Sequence, residues 1–125
     1  MPSAEPTYSG SKAAAISNMV VRLMSQYTGR GPTKARTYIS DDLVTVILQD
    51  SLTKAELTLV AKGHLELVRT TRRTFQDTME SDLIAGVQEI LGREVLAFLS
   101  ANHVDPDYAA ETFILAPTER VQAVP

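Results

Sequence analysis

The chain contains no cysteine among its 125 residues. That excludes a disulfide framework, a thiolate metal site and a cysteine nucleophile, and it fits a reducing compartment. Long apolar runs are also missing, since none approaches the roughly 18 residues of a membrane-spanning helix. The opening "MPSAEPTYSG" has neither a basic start nor an apolar core, so no signal peptide is expected. A cytoplasmic, soluble chain is the resulting expectation. No internal repeat is present.

What is there supports one domain. A hydrophobic content of 44% over 125 residues is enough for a core. The same length is short for burying both faces of a sheet, which leaves room for a partner subunit. The net charge of −3 is unevenly spread. Residues 20–73 carry nine Lys/Arg against five Asp/Glu, whereas residues 74–125 carry two against nine. Such polarity orients a partner or a neighbouring copy, or is only the scatter of a solvated surface.

Residues 1–10 read as a flexible Pro-, Ser- and Gly-rich tail, residues 11–116 as one domain and residues 117–125 as a loose tail. From Ser11, the residues Ile16, Met19, Val20, Leu23, Met24 and Tyr27 follow a helical period. Gly29 then suits a helix C-cap and Pro32 prevents continuation. "KARTYIS" and "LVTVILQ" read as strands, joined by a turn at Ser40, Asp41 and Asp42. Thr53 and Glu56 make a capping box, with Leu52 and Leu57 at the staple positions. A long helix is expected over His64–Leu91, with Val68, Phe75, Met79, Leu83, Val87 and Ile90 as its stripe and Gly92 as its stop. "EVLAFLS" and "AETFILA" read as the last two strands, around the turn-rich "NHVDPDYA". The order α-β-β-α-α-β-β predicts an α+β domain with an antiparallel sheet of two β-hairpins packed with helices.

Strands 43–49 and 94–100, taken as central, are apolar on both faces. Val44, Val46 and Leu48 oppose Leu43 and Ile47, and Val95, Ala97 and Leu99 oppose Leu96 and Phe98. A solvated antiparallel face would alternate with polar residues. The second face is therefore expected to be covered by the first helix or by a second copy, and a homodimer is the expected assembly.

The stretch "TGRGPTKARTYI" has the look of a phosphate loop. A phosphate loop needs a strand before it and a helix N-terminus after it. Here the order is helix, loop, strand, and the glycine spacing fails as well. Gly29, Gly31 and Pro32 therefore read as a structural corner, with Gly31 allowing an unusual backbone angle. Arg30, Lys34 and Arg36 remain a candidate contact for a small anion or an acidic partner.

Other candidate chemistry is weaker. Arg69, Arg72 and Arg73 share a helix face, but the chain is acidic overall and lacks interleaved aromatics, so a solvated or partner-facing surface is expected rather than nucleic-acid binding. His103, Asp105 and Asp107 make an incomplete metal site. His64 reads as an exposed polar residue. No Ser-His-Asp or paired-carboxylate arrangement stands out, so no catalytic residue, metal or cofactor is expected.

The segment "GRGPTKARTYISDDLVTVILQDSLTKAELTLV", followed by Gly63, Val68, Arg72 and Arg73 and by "GREVLAFLSANHVDPDYAAETFIL", resembles the MpsC-like family. That family is named for the small subunit of a sodium-translocating, membrane-potential-generating system. The likeness runs from about Ile16 to Leu115. The chain departs from the family pattern at Ala101-Asn102, where Thr-Asp is commoner, and at Ala110-Glu111-Thr112, where Gly-Glu-Arg is commoner. The resemblance implies a non-catalytic, soluble accessory or regulatory subunit of a membrane ion or inorganic-carbon uptake system, with an integral membrane protein as partner. The alternative reading, from the basic loop, is a small anion- or nucleotide-sensing module.

Overall fold

The computed structural model describes the backbone of residues 4–118 and the side chains of residues 10–118. The elements are α1 (Ala4–Thr28), β1 (Lys34–Ser40), β2 (Leu43–Gln49), α2 (Lys54–Ala61), α3 (Leu65–Leu91), β3 (Val95–His103) and β4 (Tyr108–Leu115). The fold is the single α+β domain expected from the sequence, in the expected order. Residues 1–3 of the proposed N-terminal tail and residues 119–125 of the C-terminal one lie outside the described residues.

Helix α1 starts at Ala4 rather than Ser11. Pro6 is tolerated because it falls in the first turn, where backbone N–H groups have no intrahelical acceptor. The helix ends at Gly29, whose φ of +84° places it in the left-handed region and whose amide donates to Ser25 O at 2.9 Å. Asp41 and Asp42 form a two-residue turn between β1 and β2, with Asp41 at φ +52°. The capping box of α2 is formed as read: Glu56 N donates to Thr53 Oγ1 at 3.1 Å and Thr53 N donates to Glu56 Oε1 at 2.8 Å. Leu52 of the expected staple is buried, but Leu57 stays exposed.

All four strands are antiparallel in the order β1-β2-β4-β3. Two expectations change. The third strand is an edge strand and not a central one, because β4 inserts between it and β2. It also runs on to His103, and β4 begins at Tyr108, so the expected loop shrinks to residues 104–107. Cross-strand pairing outweighs the turn preference of Asn102 and His103, since each faces a β4 residue in register.

The sheet is covered from one side. Val44, Val46 and Leu48 of β2 and Ala109, Phe113 and Leu115 of β4 are buried, and they share one face by the two-residue period of strands. Onto this inner face pack Ile16, Met19, Val20 and Met24 of α1, and Met79, Leu83, Val87 and Leu91 of α3. Each such side chain contributes roughly 1.5–3 kcal/mol on full burial. Phe75 and Ile90 of the expected α3 stripe only flank this cluster. The first helix does not cover the second face. It lies beside α3, antiparallel to it: Lys12 Nζ donates to Ile90 O at 3.0 Å near one end and Tyr27 Oη to Asp82 Oδ2 at 2.6 Å near the other.

The outer face carries four cross-strand rows. Lys34, Gln49, Tyr108 and His103 form the first, and Arg36, Ile47, Ala110 and Ala101 the second. Tyr38, Thr45, Thr112 and Leu99 form the third, and Ser40, Leu43, Ile114 and Ala97 the fourth. Tyr38 is 52% and Leu99 57% exposed.

Gly86 sets the spacing of α1 and α3, since a Cβ there would lie 2.7 Å from Met19 Sδ. Gly86→Val should lower stability by about 1–3 kcal/mol through overpacking. Gly10→Ala, with nothing within 4 Å of the added carbon, should raise it by about 0.5–1 kcal/mol. Urea unfolding of both variants checks the pair.

Candidate functional site

The structure splits the predicted basic rim in two. Arg30 bends back under the corner, where Nη1 donates to Asp50 O at 2.6 Å and Leu52 O at 3.0 Å, and Nη2 pairs with Asp50 Oδ2 at 3.1 Å. Thr28 Oγ1 closes the same corner by donating to Met24 O or Arg30 O. Pro32 is buried. Gly31 is there for a different reason from the one expected. Its φ is not left-handed, but an added Cβ would meet Ser25 Oγ at 2.6 Å and Val21 O at 3.1 Å. Lack of space, not backbone angle, selects glycine.

Lys34 and Arg36 instead point to the outer sheet face. They line an open hollow of about 500 Å³ with Thr33, Tyr38, Gln49 and Tyr108. Gln49 Nε2 donates to Tyr108 Oη at 2.9 Å and stiffens its wall. Neither cation has an ion pair or hydrogen bond among the described residues. No carboxylate lines the hollow, so its field is positive and suited to an anion or an acidic side chain.

The second arrangement lies on the opposite face, sealed under α3. Sequence reading gave Arg72 a solvated surface, yet it is only 6% exposed. The reason is its partners. Nη1 donates to Glu56 Oε1 at 3.2 Å and Ser51 O at 3.4 Å, Nη2 to Ser51 Oγ at 2.7 Å, and Nε to Asn102 Oδ1 at 3.3 Å. One helical turn on, Gln76 and Asn102 bond reciprocally: Asn102 Nδ2 donates to Gln76 Oε1 at 2.8 Å and Gln76 Nε2 to Asn102 Oδ1 at 3.1 Å. Gln76 Nε2 also reaches Glu111 Oε2 at 3.0 Å, and Ser100 Oγ bonds Glu111 Oε1.

Glu111 is 1% exposed, with only neutral groups in direct contact. Burial pushes its carboxyl up to about 7, against the lowering effect of Ser100, Gln76 and the Arg72 charge. The carboxyl is thus raised towards neutrality inside a packed core. The sequence signal of the network was present. Val68, Arg72, Gln76, Met79, Leu83 and Val87 are spaced by three or four residues, so both polar residues sit on the apolar stripe. Likewise Ala109, Glu111, Phe113 and Leu115 alternate on one face of β4.

The weak metal candidates are otherwise engaged. Asp107 accepts from Leu52 N at 2.9 Å, and His103 Nδ1 donates to Pro106 O at 2.8 Å. Asp105 is exposed in the loop between them. Among the described residues, no three His, Cys, Asp or Glu gather as metal ligands. His64 caps α3 by position without a side-chain hydrogen bond. Arg69 pairs with Glu66 on the exposed face of α3, and Arg73 is exposed.

Two outcomes follow. Arg30→Ser should cost about 1–2 kcal/mol by freeing two carbonyls and an exposed carboxylate. Lys34→Ser with Arg36→Ser should leave thermal stability within about 0.5 kcal/mol. For Glu111, the raised pKa means that the folded state binds the proton more tightly than the unfolded chain. Its contribution is complete below the unfolded carboxyl pKa and is lost as pH rises towards 7, by on the order of 3 kcal/mol. Glu111→Gln does not titrate. Its stability relative to the parent should therefore rise from pH 5 to pH 8, as read by urea unfolding at each pH. A gap that stays constant over that range would refute the assignment.

The family model described as "Na+-translocating membrane potential-generating system (MpsC)" matches residues 8–117 of the chain. No curated protein and no solved structure matches it.

Proposed function

The chain belongs to this family, and on that premise we propose that it is a non-catalytic accessory or regulatory subunit of a membrane assembly that moves ions or inorganic carbon. It works from the cytoplasmic side. The observation that carries this reading is a family match over nearly the whole chain, in a chain whose described residues include no helix long and apolar enough to cross a membrane. On this reading the chain reaches its membrane system through protein contacts. The buried network supports the non-catalytic part. Arg72 and Glu111 are closed off by α3 and the sheet, where they hold elements together.

One observation favours a second reading. The Lys34 and Arg36 hollow is open, positively charged and free of carboxylates, which fits a small anion- or nucleotide-sensing module.

Affinity purification from detergent-solubilised membranes of the native host separates the two. The subunit reading expects an integral membrane protein recovered in fixed stoichiometry after a high-salt wash. Recovery of the chain alone, with none in the membrane fraction, would overturn it. The sensor reading expects inorganic phosphate, a carboxylate or a nucleotide to raise the melting temperature selectively, since binding to the native state adds apparent stability. That rise should vanish in the Lys34→Ser/Arg36→Ser double variant.

A further inference from the structure

The hollow on the outer sheet face is larger than a simple anion needs. It encloses about 500 Å³, within the roughly 300–1,000 Å³ of sites that take an organic ligand. Lys34, Arg36 and Tyr38 follow one another along one side of β1. Two residues of a strand advance about 6.6 Å, so Lys34 and Tyr38 lie about 13 Å apart along it. Ile47 and Gln49 of β2 stand beside Arg36 and Lys34 in register, and Tyr108 stands beyond Gln49 on β4. Two cations thus share one hollow with an apolar floor, Ile47, and two tyrosine rings.

The carboxylates at this end of the sheet have other partners. Asp50 pairs with Arg30 at 3.1 Å, and Asp107 accepts from Leu52 N at 2.9 Å and from Ser51 Oγ at 3.4 Å. Neither they nor the exposed Asp105 lines the hollow. Lys34 and Arg36 keep their donors unpaired among the described residues. Gln49 spends one N–H on Tyr108 Oη, which leaves its carbonyl oxygen and its second N–H for a ligand.

We propose that the hollow binds a nucleoside 5′-monophosphate, with the phosphate on Lys34 and Arg36 and the base against Tyr38 and Ile47. The proposal deepens the sensor reading and rests on it. A phosphomonoester carries about −1.5 to −2 charge and three strong acceptor oxygens near neutral pH. A guanidinium fork and an ammonium two residues apart meet that demand together, whereas a carboxylate is satisfied by the fork alone. Inorganic phosphate would leave Ile47 and the rings unused. A tyrosine face stacks on any base, so the rings favour a nucleotide without choosing which one. Gln49, two residues from Ile47 on β2, is the group that can read a base edge.

The test is an amide-resolved NMR titration of the full chain in phosphate-free buffer without added metal. Its probes are adenosine 5′-monophosphate, adenosine and inorganic phosphate. The monophosphate should shift the amides of β1 and β2 saturably and bind about tenfold or more tighter than either fragment. Lys34→Ser/Arg36→Ser should abolish the response to both phosphates. Tyr38→Ala, at an exposed position, should weaken the nucleotide about fivefold or more while leaving inorganic phosphate unchanged. The spectrum of each variant confirms that it is folded. Inorganic phosphate binding as tightly as the nucleotide overturns the proposal and leaves the sensor reading standing. So does a nucleotide affinity that Tyr38→Ala does not change, or shifts confined to another part of the molecule. No response to any of the three probes at millimolar concentration overturns the proposal and, for phosphates, the sensor reading with it.

Discussion

A guanidinium removed from water needs partners for its donors, and the way Arg72 meets that need organises much of the molecule. Its three nitrogens reach the β2–α2 connection through Ser51, the first turn of α2 through Glu56, and β3 through Asn102. Leaving a buried charge unpaired typically costs 3–5 kcal/mol. The short helix α2, with few apolar contacts of its own, is therefore fixed by a polar bond as much as by packing. Glu56 has two duties: it accepts from Arg72 and also closes the capping box of its own helix. The ion pair and the helix start are one structure.

Farther along α3, the same strip of polar groups ends at Glu111, where no cation touches the carboxylate. The two buried acids thus differ in kind. Glu56 meets Arg72 directly, whereas Glu111 feels that charge only at a distance and is held mainly by Ser100 and Gln76. The polar strip therefore has an end with a directly paired acid, Glu56, and an end whose acid, Glu111, is held by neutral groups. The outer face follows a different logic. With both long helices on one side, the sheet presents an apolar middle row, with Lys34 and Arg36 at one end of β1.

Much of this was legible in the residues. The order of elements, the capping box, the Gly29 stop and the Asp41–Asp42 turn follow from local preferences, which the fold leaves intact. The misreadings have a common cause: they turn on which strand neighbours which. β3 was taken as central because "EVLAFLS" is apolar on both sides. In fact β4 takes the inner position, and β3 is left with Leu96 and Leu99 exposed. Arg72 was given a surface because arginine rarely goes inside. Its position on the stripe between Val68 and Met79 argued otherwise, but its partners Ser51 and Asn102 are distant in sequence and come together only through the sheet. Gly31 shows the same limit in miniature, since its constraint is the neighbouring turn of α1 and not its own torsion.

The pairing of β2 with β4 also has a consequence in time. Each hairpin closes across a few residues, whereas this central ladder joins segments on the order of 60 residues apart, with α2 and α3 lying between them. Loop closure of that size precedes any reward from the contacts it makes, and folding rates fall as contacts become more distant in sequence. On that basis the docking of α3, which lies between the two hairpins, is expected to limit how fast the domain forms. Substitutions on the α3 stripe that weaken its docking should therefore slow folding, rather than only speed unfolding.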